Sequence, residues 1–279
     1  MELEMAETPV QDGLKRVKHI IAIASGKGGV GKSTTAVNLA LALVAKGNKV
    51  GIVDADIYGP SLPMMLGVAE GTRPEVVDDK FFVPVEAYGV QSMSMGYLVT
   101  EQTPMVWRGP MASGALLQIL NQTLWGELDY LVVDMPPGTG DIQLTLAQKA
   151  QLSGAVIVTT PQDIALLDAR KAIEMFHKVN IPVLGVVENM AVHSCSQCGH
   201  QEHIFGEGGG QKVASEYSTE VLGTLPLSLD IREQADAGKP SVIADPEGLA
   251  AVTYSQIANK VMDLLAGQSS PGGPEIIIE

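Results

Sequence analysis

The sequence predicts an α/β fold: a mostly parallel β-sheet with helices on both faces. Two observations carry the prediction. Short runs of nearly continuous apolar character alternate along the chain with longer segments of helical periodicity, as expected of strands covered on both faces. Hydrophobic residues make up 46% of the 279 residues but aromatics only 4%. Ala, Val, Ile, Leu and Met must therefore fill the core, a composition suited to helices packed on β-branched strands. That length is enough for one large domain or two small ones, and no internal repeat or interior linker divides it.

The elements follow in order. "HIIAIAS" (19–25) is a buried strand that runs into a glycine loop and then "KSTTAVNLALALVAKG", whose apolar spacing and terminal Gly47 predict a helix. "KVGIVDAD" (49–56) is the next strand, and "LDYLVVDMP" (128–136), "GAVIVTTP" (154–161), "IPVLGVVEN" (181–189) and "VLGTLP" (221–226) repeat the design. "DIALLDARKAIEMFHKV" and "PEGLAAVTYSQIANKVMDLLAG" are helices. Residues 57–110 are less regular and rich in Pro, Gly and Met, and are expected to form an insertion of short helices and a small hairpin. Six methionines fall in or next to it: Met64, Met65, Met93, Met95, Met105 and Met111. Flexible thioethers suit adaptable surfaces, but core filling is the expected role. Residues 1–16 read as a flexible N-terminal segment, 17–266 as one domain, and 267–279 as a flexible tail.

Charge and patterning exclude several classes. A formal net charge of −14 opposes sequence-independent nucleic-acid binding, and no long Lys/Arg run offsets it. The acidic start "MELEMAETPVQDG" is not a secretory signal. No apolar run approaches the roughly 20 residues of a membrane span. Two closely spaced cysteines make a poor disulfide scaffold and point to a reducing cytoplasm.

"SGKGGVGKST" fits G-x-x-x-x-G-K-[ST] from Gly26 to Ser33, between a predicted strand and a predicted helix. Gly26, Lys27, Gly28, Gly29, Val30, Gly31, Lys32, Ser33 and Thr34 would wrap backbone N–H groups and the helix N-terminus around phosphates. Lys32 is expected on the β- and γ-phosphates and Ser33 on Mg²⁺. Lys27 is either a solvated loop lysine or a group reaching a nucleotide held by a second subunit.

"VDADIYGPS" (53–61) puts Asp54 and Asp56 at a strand end beside that loop, where ligands bind in such folds; one of them could instead cap the following helix. "YLVVDMPPGTGD" (130–141) has the apolar strand and Asp134 expected of a Walker B segment that holds Mg²⁺. The Pro-Pro-Gly-Thr-Gly run after it reads as a switch loop. Asn189 ends the strand "VVENM".

Cys195 and Cys198 form a C-x-x-C. His200 and His203 could complete a single-chain zinc site, although the spacing is cramped for tetrahedral ligation. A redox pair would need a helix start after the first cysteine. Inert buried thiols do not suit a segment as polar as "HSCSQCGH". The fourth possibility is half a site per subunit, completed across a two-fold axis by four thiolates around one [4Fe–4S] cluster.

"GKGGVGKST", "VDADIYGPS", "VWRGPM", "DYLVVDMPPGTGD", "VVENM" and the C-x-x-C together resemble the Mrp/ApbC family of iron–sulfur cluster carriers, from about residue 17 to about 265. That family lies in the deviant Walker A class with nitrogenase iron protein and the septum-site and partition ATPases. The resemblance implies a P-loop NTPase fold and a nucleotide-sandwich homodimer in which Lys27 crosses to the partner's phosphates. It implies that Asp54 holds a Mg²⁺-bound water and Asp56 orients the attacking water. It implies that Asn189 recognises adenine with Pro226 flanking the ring, and that ATP hydrolysis accompanies transfer of a [4Fe–4S] cluster to apo-proteins. The extra N-terminal domain of many bacterial relatives and the N-terminal four-cysteine motif of the eukaryotic scaffold are not expected here. A partition or septum-type positioning ATPase and a zinc-stabilised ATPase switch are the rival readings.

Overall fold

The computed structural model describes residues 13–98, 109–195 and 197–267. The expected flexible segment before Gly13, residues 99–108 with Met105 and the first part of "VWRGPM", Ser196, and the tail 268–279 lie outside the described residues.

The elements in chain order are β1 (Val17–Ala24), α1 (Lys32–Ala45), β2 (Val50–Asp54), α2 (Leu62–Met65), β3 (Val76–Val77), β4 (Phe81–Phe82), β5 (Val85–Ala87) and β6 (Val90–Ser94). Then come α3 (Gly109–Gln122), β7 (Leu128–Asp134), α4 (Asp141–Lys149), β8 (Gly154–Thr159), α5 (Asp163–Lys178), β9 (Val183–Glu188), β10 (His193–Ser194) and β11 (Gln201–Glu202). The last are α6 (Gly209–Glu216), β12 (Val221–Thr224), α7 (Leu229–Asp236), α8 (Ser241–Ala244) and α9 (Leu249–Gly267). An eight-stranded sheet has the order β12-β9-β8-β1-β7-β2-β6-β5. Every pair in it is parallel except the edge pair β5–β6.

The alternation of side chains across β1 explains the layers. Ile20, Ala22 and Ala24 point to a core shared with α3, α4, α5 and α6. Ile21 and Ile23 point to the opposite core, built from α1 and α9. A strand apolar on both faces therefore demands helices on both faces, as the sequence predicts. The wholly buried Phe176 of α5 and Tyr254 of α9 are among the largest side chains in the two layers.

Two regions differ from the sequence expectation. The irregular segment holds two hairpins, not one: β3–β4 turns through Asp78 and Asp79, and β5–β6 through Tyr88 and Gly89, all at positive φ. The β5–β6 loop is a two-residue turn whose I′-type backbone matches the strand twist, whereas the β3–β4 loop has three residues, 78–80. The second hairpin delivers β6 to the main sheet beside β2. Its sequence "VQSMS" hides this because Ser92 and Ser94 are buried, and their hydroxyls bond to Val85, Tyr97 and Asp54. At the N-terminus, Gly13–Arg16 form a 3₁₀ turn within what the sequence assigns to a flexible segment. A Cβ on Gly13 would lie 2.3 Å from the Thr123 carbonyl oxygen, so the turn packs directly on the residues that follow α3. Of the methionines, Met65, Met93 and Met95 fill core, whereas Met64 and Met111 are exposed. Among the described residues no helix is long and apolar enough to cross a membrane.

Phe176→Ala should lower the unfolding free energy by about 3–5 kcal/mol, the cost of a large cavity in a layer that cannot collapse. Chemical denaturation would check this; a loss below about 1 kcal/mol would contradict a tightly packed α5 face.

Candidate functional site

A parallel sheet brings its C-terminal strand ends to one edge, where ligands bind in open α/β folds. Here that edge gathers the glycine loop after β1, Asp54 of β2, Asp134 of β7, and Glu188 and Asn189 at the end of β9. Gly29 and Gly31 take φ of 79° and 86°, the left-handed region that glycine adopts freely. Gly31 is constrained twice, because a Cβ there would lie 2.0 Å from the Asn189 amide nitrogen. A Cβ on Gly26 would lie 2.0 Å from the Asp168 carbonyl of α5. Gly28 and Gly29 meet nothing, so the crown of the loop is open. The positive end of α1 begins at Lys32 directly beneath it.

The electrostatic centre is the buried pair of Lys32 and Asp134. The ammonium donates to Asp134 Oδ1 and lies 3.2 Å from the Ser33 hydroxyl. Asp134 Oδ2 is buried with no hydrogen-bond partner. Burial pushes the Asp134 carboxyl up, while the Lys32 charge and the Ser33 hydroxyl hold it back and the Asp56 charge adds to the rise. An orphaned carboxylate oxygen beside a serine hydroxyl is a fitting donor set for a hydrated Mg²⁺. Asp56 is half-buried and close enough for its charge to act on Asp134.

Asp54 is fully buried, and both of its oxygens are engaged. Oδ1 accepts from the Asp56 N–H at 3.1 Å. Oδ2 accepts from Ser61 N, Leu62 N and the Ser94 hydroxyl at 3.0, 3.1 and 3.2 Å. It thus satisfies N–H groups at the start of α2, the capping alternative read from the sequence. Burial pushes its carboxyl up to about 7, helped by the charge of Asp134 and opposed by the backbone N–H groups of Leu62 and Asp56.

Asn189 fastens the phosphate loop from the other side. Its Nδ2 donates to the Val30 carbonyl at 2.9 Å, and its Oδ1 accepts from Met190 N at 3.0 Å. With Pro226 it lines a cavity of about 270 Å³ that opens beside Gly31 and Thr34, between α2 and α7. Asn189 and Pro226, which the resemblance pairs, therefore line the same cavity.

The loop after Asp134 is held at Gly138, whose N–H donates to the Ser25 carbonyl at 2.9 Å. Gln143 secures its prolines: the buried side-chain amide donates to the carbonyls of Pro137 at 2.5 Å and Pro136 at 3.4 Å. Sequence reasoning missed Gln143 and the Ser94 contact to Asp54. A glutamine in the first turn of a helix normally reads as solvated, and only a glycine–proline loop just before it hinted at carbonyls in need of donors.

Cys195 and Cys198 sit in the loop of the β10–β11 hairpin, on the same edge as the phosphate loop. The turn closes by Cys195 N to His200 O at 2.9 Å and Gly199 N to Cys195 O at 2.8 Å, with Gly199 at φ 72°. Backbone N–H groups of Cys198 and Gln197, and the Cys198 thiol, pull the Cys195 thiol below its usual value. Cys198 is exposed. Among the described residues no three His, Cys, Asp or Glu side chains converge as a metal site. His203 Nδ1 instead bonds the Ala191 carbonyl at 2.8 Å, and His200 Nε2 lies 3.3 Å from Glu202. Among the described residues the hairpin thus presents two thiols on which neither histidine converges. Lys27, half-buried in the phosphate loop, makes no side-chain hydrogen bond or ion pair among the described residues.

The family model described as NUBPL iron-transfer P-loop NTPase matches residues 16–262. An iron-sulfur cluster carrier protein of Pseudomonas fragi is 69% identical over 88% of this chain and 86% of its own. One of Escherichia coli K12 is 60% identical over 94% of this chain and 71% of its own. The iron-sulfur cluster transfer protein NUBPL of Mus musculus is 52% identical over 94% and 82%. Among solved structures, a nucleotide-binding protein from Archaeoglobus fulgidus in complex with ADP is 38% identical, with a TM-score of 0.74 over 86% of this chain and 93% of its own. The cell division ATPase MinD of Pyrococcus furiosus, 23% identical with a TM-score of 0.66 over 88% and 99%, shares the fold.

The Asp54 carboxyl has a measurable consequence. Its folded value of about 7 lies above the unfolded carboxylate value of 3.8. The folded chain therefore retains a proton that the unfolded chain has lost between about pH 4 and about pH 7. This contribution to stability falls as pH rises through that window and levels off above it. Asp54→Asn removes it, so the unfolding free energy of the variant minus that of the parent should rise across the window in denaturant titrations. A difference independent of pH would rule out the raised carboxyl.

Proposed function

The chain belongs to the NUBPL iron-transfer P-loop NTPase family, and from that premise we propose that it is an ATP-hydrolysing carrier. In this reading a [4Fe–4S] cluster is held between two copies of the chain and delivered to apo-proteins. The observation that carries it is the cysteine hairpin: two thiols on an exposed loop, with no third ligand converging among the described residues. An Fe–S cluster of this type takes four thiolates, so a second copy of the same hairpin supplies the complement. Lys27, without a side-chain partner among the described residues, supports the same pairing. So do Ile164 and Leu167, exposed one helical turn apart at the start of α5, whose Asp168 carbonyl abuts Gly26. We assign that apolar face to the second copy.

The nucleotide part of the reading is supported by the site geometry and by the ADP held by the Archaeoglobus fulgidus relative. Residues 26–34 take the phosphates, and the base enters the cavity beside Asn189 and Pro226. Mg²⁺, held by Ser33 and through water by Asp134, would neutralise phosphate charge. The capping bonds of Asp54 make its part in that site indirect, through the backbone at Asp56 and Ser61. Asp56 orients the attacking water and accepts its proton. The oxygen of that water bonds to the γ-phosphorus as the bond to the bridging oxygen of ADP breaks. Lys32 and the partner copy's lysine at position 27 stabilise the charge on the transferring group. Two unpaired cysteines suit a reducing cytoplasm, and the acidic surface suits protein clients in place of nucleic acid or membrane. Residues 17–266 serve as the ATPase domain.

Anaerobic reconstitution should load about four iron per dimer with the absorption of a [4Fe–4S] cluster. Cys195→Ala should bring iron to background, and unchanged iron content would remove the cluster assignment. Lys27→Ala should lower the ATP hydrolysis rate by about 10²-fold or more, as loss of a charge-stabilising donor does elsewhere, with nucleotide affinity much less affected. Equal hydrolysis by the variant would argue against the cross-subunit lysine.

A further inference from the structure

The cysteine hairpin and the cavity beside the phosphate loop occupy different parts of the sheet edge, and among the described residues backbone bonds and the contact of His193 Nδ1 with the Leu227 carbonyl at 3.1 Å join them. The base of the cysteine hairpin lies against the wall of the nucleotide cavity. Ala191 N donates to Leu225 O at 3.0 Å, Leu227 N donates to Val192 O at 2.9 Å, and His193 pairs with Leu227 in a parallel bridge. The same 225–228 segment contributes Pro226, Leu227 and Ser228 to the cavity, opposite Asn189 and Met190. Asn189 in turn holds the Val30 carbonyl of the phosphate loop.

The return arm of the hairpin is tied into this ladder by His203. Its Nδ1 lies 2.8 Å from the carbonyl of Ala191, the residue whose N–H bonds Leu225. A carbonyl only accepts, so the ring carries its proton on Nδ1. Between that bond and the cysteines stand the short β10–β11 ladder, the Gln201–Ser194 side-chain bond and the turn bonds of Cys195 with Gly199 and His200. By contrast, the bonds described for 135–140 run to β1, Ser25, Gln143 and neighbouring helix backbone, and none reaches 191–205 among the described residues. The loop after Asp134 therefore lacks a direct route to the thiols.

We propose that His203 is a positioning residue that couples the nucleotide pocket to the cysteine hairpin, through its bond to Ala191 beside the pocket wall at Leu225–Ser228. A nucleotide in the cavity favours the arrangement in which 189–193 and 225–228 are zipped. The His203 bond passes that preference to the return arm and so to the accessibility of the two thiols. Such a ligand shifts the hairpin only as far as it binds the zipped arrangement better. By reciprocity, anything that fixes the thiols tightens nucleotide binding by the same factor. The inference rests on the proposed nucleotide and cargo sites for its biological meaning, but its test needs no cluster.

The experiment measures alkylation of Cys195 and Cys198 by iodoacetamide in the metal-free full-length chain, with and without saturating ADP or a non-hydrolysable ATP analogue. Nucleotide should slow alkylation of the parent protein by about fivefold, the lower end of measured couplings between sites. His203→Ala should cut that dependence to less than about twofold, leaving only what the His193–Leu227 bridge carries, while nucleotide affinity, read by calorimetry, stays in the parent range. His203→Asn, whose amide nitrogen takes the place of Nδ1, should restore it. His203→Gln, which places the nitrogen elsewhere, should not, and it decides the matter if the alanine variant folds poorly. Alkylation of the parent indifferent to bound nucleotide would overturn the proposal. So would full dependence surviving in the alanine or glutamine variant, or failure of asparagine to rescue. Absence of iron in reconstitution would sink the carrier reading and leave this result standing.

Discussion

The site depends on one buried ion pair. Lys32 opens α1 and Asp134 closes β7, and both are almost completely shielded from water. Removing either charge from solvent is costly, and a buried pair is tolerable only when its geometry is good and its other hydrogen bonds are satisfied. That requirement fixes more than two side chains. Asp134 stands opposite Ile23 of β1 and Asp54 of β2 in the parallel register, so the pair fastens the glycine loop to the central strands at a set height. Apolar contacts alone would fit a strand displaced by two residues nearly as well, because the same side chains would still face the core. Such a slip would strand the carboxylate away from its ammonium.

The same register brings two buried carboxylates together with one buried ammonium, and the imbalance divides their roles. Asp134 keeps the lysine and one bare oxygen. Asp54 receives three backbone N–H groups and a serine hydroxyl, and burial beside a second negative charge pushes it toward the protonated form. A local excess of negative charge ringed by donors is a strained arrangement for protein alone. It becomes a matched one where a divalent cation and phosphates enter together, since a bound cation inverts the local preference for protonation.

Much of this was legible in the sequence because it depends on short-range chemistry. The six predicted main strands, the phosphate loop and Asp134 each carry a local pattern, apolar on both faces or glycine at fixed spacing, that admits few other structures. What stayed hidden depends on partners distant in sequence. β6 was missed because Ser92 and Ser94 look solvated until Val85, Tyr97 and Asp54 are seen to satisfy them. Gln143 looks like an ordinary helix residue until the prolines before it fold back onto its amide. Asp54 was assigned a water on Mg²⁺ through family resemblance. Its four donors could not be foreseen without knowing how residues 55–62 return to the strand end. His203 attracted attention as a zinc ligand because of its spacing from the cysteines, but its ring is turned to the hairpin's own backbone.

In the proposed carrier reading, the hairpin suits a site that must both hold a group and release it. A closed four-ligand site in one chain is a structural element: once emptied, its converging thiolates repel one another and the fold around them loses its anchor. Here each chain contributes only two thiols on an exposed loop. The turn is shaped by its own backbone bonds, by Gly199 in the left-handed region and by His203 on Ala191, none of which requires a metal. The N–H groups that favour the Cys195 thiolate are likewise built into the turn. The turn therefore needs no metal to keep its shape. Under the proposed pairing, what would change between loaded and empty states is how closely a second copy faces the hairpin, and a nucleotide bound along the same edge would exert its control there.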